Sequence, residues 1–80
     1  MESLDKVFEN LIIYQKEKIL SFGRSIIPFL TQDDLLQPND YPELENHPIF
    51  RYEEGILEGL LTAQMAYFRE MKEKVYDSES

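Results

Sequence analysis

The sequence contains no cysteine, a single histidine (His47) and only three glycines among its 80 residues. Without cysteine there can be no disulfide, no thiolate metal site and no cysteine nucleophile. Basic side chains are scarce: eight Lys and Arg stand against sixteen Asp and Glu, a formal charge of −8. Nucleic-acid binding needs clustered Lys and Arg against the phosphates, so no nucleic-acid partner is expected. The same deficit argues against docking on an anionic membrane. Long apolar runs are missing too; none approaches the roughly 18 residues that span a bilayer. Acidic residues from Glu2 onward do not fit a signal peptide. A soluble cytoplasmic protein without a cofactor is the expectation.

What is present is ample for one folded domain and too little for two cores. Forty-two per cent of residues are hydrophobic and 12% aromatic, which is inconsistent with wholesale disorder. Charge divides the chain. Residues 1–30 balance to zero, whereas residues 31–48 carry Asp33, Asp34, Asp40, Glu43 and Glu45 with no base. Three of the four prolines, Pro38, Pro42 and Pro48, fall in or close that middle stretch.

The spacing predicts a helix over about 4–27, capped by Ser3 and with Asp5 in its first turn. Its apolar residues, Leu4, Val7, Phe8, Leu11, Ile12, Ile19, Phe22 and Ile26, recur at helical steps. Pro28 ends it, and Gly23 weakens its last turns. Residues 28–47 read as an ordered acidic connection with one or two short helical turns. Thr31 can cap the amide of Asp34 there, with Leu30 and Leu35 as a hydrophobic staple. Pro38 closes that turn and Pro42 opens another. A second long helix is expected over about 48–76, with residues 77–80 as a fraying tail. It has one stripe of Ile49, Ile56, Leu60, Ala63, Tyr67 and Met71. A second stripe of Phe50, Leu57, Leu61, Phe68 and Val75 runs beside it.

Two long helices with a short connection imply an all-α antiparallel hairpin. An isolated hairpin needs one apolar stripe per helix, yet both helices carry more. The extra row on the first helix is Ile13, Leu20 and Ile27. Together with Leu57, Leu61 and Phe68 it is expected to form a dimer interface, making a four-helix bundle from two copies. The competing expectation is a monomer whose connection folds over the second face.

Motifs that would carry chemistry are incomplete. Gly55, Gly59 and Ala63 form a strip of small residues suited to close helix packing, with Tyr41, Phe22 or another aromatic seated on it. Glu54 and Glu58 share a helical face as paired carboxylates would, but the Glu-x-x-His pairs of di-iron bundles are missing. The stretch from Asp33 to Glu45 lacks the ligand spacing and turn glycine of a calcium loop. His47, alone between Asn46 and Pro48, suits the entry to a helix and bonding of a free amide. Arg51 between Phe50 and Tyr52, bordered by Glu53, Glu54 and Glu58, has the composition of a partner-contact surface. Pairing of Arg51 with Glu54 or Glu45 is the simpler expectation for that arginine.

The functional expectation is therefore a non-enzymatic protein–protein interaction module. It would be a homodimer whose acidic surface could meet a basic protein partner. The alternative is a small-molecule-binding or enzyme-accessory protein, with a pocket between the Gly55/Gly59 strip and the connection.

Overall fold

The computed structural model describes residues 3–36 and 40–79, the last of these, 73–79, by backbone alone. Helix α1 spans Leu4–Ile26 and a four-residue 3₁₀ turn spans Asp33–Leu36. Helix α2 is the single turn Pro42–Glu45, and α3 runs Pro48–Glu79. No strand occurs among the described residues. Among the described residues, no helix is long and apolar enough to cross a membrane.

Each boundary has a local cause. The Ser3 hydroxyl accepts from the Lys6 amide, relieving one unpaired donor at the start of α1. At its end the Ile27 amide still bonds the Gly23 carbonyl, and the chain then turns extended ahead of Pro28. Thr31 and Asp34 bond reciprocally: the Thr31 amide donates to Asp34 Oδ2 at 3.0 Å, and the Asp34 amide to Thr31 Oγ1 at 3.3 Å. This expected cap starts only a 3₁₀ turn. Pro38, expected to close it, lies outside the described residues. Pro42 opens α2 as anticipated, and α3 continues past its expected end at Tyr76.

The two long helices pack antiparallel. Near one end the rings of Phe8 and Tyr67 lie 5.7 Å apart, and near the other Gly23 of α1 sits beside Phe50 of α3. The molecule measures 53 × 26 × 19 Å, an elongated hairpin with a closed end, where the connection lies, and an open end.

Its main core cluster lies at the closed end, with Ile12 buried separately further along α1. Ile19, Ile27, Leu30, Leu44 and Phe50 are buried together at that end, with Leu20, Phe22, Ile26, Leu35, Tyr41 and Leu57 packed around them. Burying each such side chain stabilises the fold by about 1.5–3 kcal/mol relative to exposure. Arg24 fastens the turn by donating from Nε to the Leu30 carbonyl at 2.8 Å. Gly23 is what lets α1, Leu30 and Phe50 converge. A Cβ at that position would overlap Leu30 Cδ2 and lie 3.8 Å from Phe50 Cε2. Far from merely weakening the helix, this glycine makes room for the core.

The inward face of α1 also differs from the expected one. Its buried residues are Ile12, Gln15, Ile19 and Gly23. Leu4, Val7 and Leu11, expected inside, are exposed. With only α3 opposite, the open end has one surface to offer each helix, and a broad apolar face cannot all turn toward it.

Candidate functional site

Two regions combine chemistry with exposure: the entrance of α3 at the closed end, and the bare faces at the open end. His47 opens the first. Its Nδ1 accepts the Ile49 amide at 3.2 Å, and its ring stands edge-on to Phe22 at 5.1 Å. The histidine thus serves helix entry, as its place before Pro48 suggested.

The candidate partner surface separates into inside and outside. Phe50 is fully buried in the core and Glu53 is buried between the helices, so neither is available to a partner. The reason is helical phase: positions 50, 53 and 57 share the face that meets α1. Arg51, Tyr52 and Glu58 remain exposed, with Glu54 half-buried. Arg51 Nη1 pairs with Glu54 Oε1 at 3.4 Å, the simpler role foreseen for it. Burial raises the Glu54 carboxyl from its ordinary value, Arg51 opposes this, and Glu58 and Glu45 add to it.

Glu53 belongs to a buried polar connection that sequence patterning missed. Gln15 Nε2 donates to Glu53 Oε2 at 2.7 Å and to the Glu53 backbone carbonyl at 2.9 Å. Lys18 Nζ reaches Glu53 Oε1 at 3.4 Å from a half-exposed position. Among the described residues, no buried side-chain polar atom lacks a partner. A satisfied buried pair fixes how two helices align, because any slip would strand a polar group in an apolar seam. The sequence did hold a signal. Gln15 falls between Ile12 and Ile19 on one stripe, and Glu53 between Phe50 and Leu57 on the other.

The strip of small residues does not bring elements together. A Cβ added at Gly55 or Gly59 would meet nothing within 4 Å, and Ala63 is exposed. Neither Tyr41 nor Phe22 packs there, because both sit against the core cluster instead. Both glycines therefore carry their helix cost with no packing return in this chain. Gly55→Ala and Gly59→Ala should each stabilise the protein by about 1 kcal/mol. Urea titration followed by circular dichroism would show the higher midpoints.

A cavity of about 260 Å³ opens between α1, α3 and the 3₁₀ turn. Ile19, Leu35, Leu36 and Leu57 form its apolar walls, with Lys16, Gln32, Asp33 and Glu54 at its polar edges. Neither Gly55 nor Gly59 lines it, so the pocket expected beside them lies instead against Leu57. Its volume falls just short of the ~300–1,000 Å³ typical of ligand pockets.

The expected dimer rows are split along their length. Ile27 is buried in the chain's own core, and Leu20 and Leu57 are half-buried against it. The chain's own core thus takes Ile27 whole and part of Leu20 and Leu57. Ile13, Leu61 and Phe68, beyond its reach, stay exposed. Met65 joins them at 61% exposure, a residue the stripes of the sequence had left out.

No protein-family model matches the chain, and no significant match exists among curated proteins or solved structures.

Proposed function

We propose that this chain is a non-enzymatic protein–protein interaction module that works as a homodimer, two hairpins pairing as a four-helix bundle. The acidic closed end would be left free to meet a basic protein partner. One observation carries this reading: large apolar side chains stay open to water at the open end. Leu4, Val7, Leu11 and Ile13 of α1, and Leu61, Met65, Phe68 and Met71 of α3, are all more than a third exposed. So many large apolar side chains left in water on so small a protein favour an association surface. Small domains commonly supplement their core by oligomerising.

The acidic end supports the second half of the reading. Residues 33–58 hold eight acids and one base. Such a field accelerates encounter with a basic protein more than it adds affinity. Arg51, Tyr52 and Glu58 are its exposed contact residues.

Light scattering behind size exclusion tests the dimer. Loading at about 100 µM, where a weak association of this kind is populated, should give twice the 9.5 kDa chain mass. A mass of one chain at every concentration would remove the reading.

A further inference from the structure

We infer that the cavity between the two long helices and the 3₁₀ turn receives one large apolar side chain of a partner protein, with basic residues flanking that side chain held over the carboxylates at the cavity's mouth. This rests on the reading of the acidic closed end as the surface for a basic protein, and specifies where the contact is made.

The cavity follows from how the turn divides its two leucines. Leu35 packs against the core cluster, whereas Leu36 stays 80% exposed although it lines the same apolar space. No large apolar side chain among the described residues is more exposed than Leu36. The helix walls are Ile19, buried to 2% exposure, and the half-buried Leu57. Together these four residues enclose about 260 Å³. An apolar cavity of about 150 Å³ already takes up a benzene ring, and pockets for drug-sized ligands run ~300–1,000 Å³. The space therefore suits one phenylalanine- or leucine-sized side chain better than a whole ligand. An apolar anchor seated in such a pocket, ringed by polar contacts, is the usual core of a protein interface.

Charge selects what stands beside that anchor. Asp33 and Glu54 border the cavity together with Lys16. Glu58 and Glu45 lie close enough to Glu54 to raise its carboxyl from its ordinary value, so carboxylates from the turn, α2 and α3 converge on one opening. Asp33, Asp34, Glu45, Glu54 and Glu58 stand there against Lys16 and Arg51, five acids to two bases. Arg51 is already engaged by Glu54 at 3.4 Å. Widening the count to residues 16–58 gives nine acids and four bases, so neighbouring cations do not cancel the field. An acidic segment is repelled here, and a purely apolar one leaves the carboxylates unanswered. A basic segment carrying one large apolar residue answers both features.

Amide NMR of the isotope-labelled full chain, titrated with the blocked pentapeptide Lys-Lys-Phe-Lys-Lys, tests this. Shifts should centre on Ile19, Leu35, Leu36 and Leu57. Binding should be about tenfold or more tighter than that of Lys-Lys-Ala-Lys-Lys, the ratio that burying one aromatic side chain supplies. Glu-Glu-Phe-Glu-Glu should not bind. Leu36→Ser, at a position too exposed to decide folding, should lose most of the preference for Phe over Ala with its helical signal unchanged. Asp33→Asn, also exposed, should weaken both basic peptides alike and keep the preference. Equal affinity for the two basic peptides, or shifts that avoid the cavity, would overturn the inference and leave the acidic-surface reading standing. The same follows if benzyl alcohol binds these amides as tightly as the peptide, which makes the cavity a small-molecule site, or if diluting the free chain shifts them, which assigns the cavity to a second copy. Failure of every basic peptide to bind, or equal binding of the acidic one, would remove both.

Discussion

Phe50→Ala should leave the protein largely unfolded at 25 °C, as read by loss of helical circular dichroism and of a cooperative melt. Phe50 is the largest fully buried side chain, and Ile19, Leu30 and Leu44 are its fellows in the cluster. Removing a buried phenylalanine costs about 3–5 kcal/mol, from lost transfer free energy and the cavity left behind. A domain of this size draws only ~3–5 kcal/mol from its own core, so the deficit takes nearly all of it. Phe50→Leu, which keeps most of the volume, should retain a cooperative transition at a lower midpoint. The sequence reading placed Phe50 on a partner surface, and that alternative gives the opposite result. Phe50→Ala would then melt like the wild type and lose only association.

Gln15→Leu should destabilise the fold by roughly 1.5–3 kcal/mol, the scale of a hydrogen bond to a charged group. The substitution fits the seam in volume, but it strips Glu53 Oε2 and the Glu53 carbonyl of the donor that both share. Lys18 remains, at 3.4 Å and half-exposed, and cannot follow the carboxylate inward. Each 1 kcal/mol corresponds to about 4–8 °C in Tm for a domain of this length. The double variant Gln15→Leu/Glu53→Leu is the informative partner. With both polar groups gone nothing is stranded, and stability should return to the wild-type value or exceed it. A double-mutant cycle with strong coupling identifies the pair as a unit. Additive losses would show that the two side chains act separately. The recovered double variant should also align its helices less strictly, which broadened amide signals at the open end would reveal.

These two residues show where sequence patterning stops. Both lie at core phase on their helices, yet a glutamine and a glutamate read as breaks in an apolar stripe. Only when the stripes are opposed does it emerge that they sit at the same depth and satisfy each other. Gly23 is a similar case. Its helix-weakening tendency is visible in the sequence, but its use is visible only when Leu30 and Phe50 converge on it. Gly55 and Gly59 err the other way. Their spacing suggests close packing, whereas they face open space in this chain.

Features legible in the residues alone are local. The ends of α1, the Thr31–Asp34 turn, the start of α2 at Pro42 and the entry to α3 at His47-Pro48 follow from caps and prolines within a few residues of each boundary. Periodicity likewise fixed that there are two long helices. Which rows turn inward was decided by the tertiary structure. Burial is a contest among all the apolar rows for one limited contact, and the core at the closed end takes Ile27 whole and Leu20 and Leu57 in part while leaving Ile13, Leu61 and Phe68 in water.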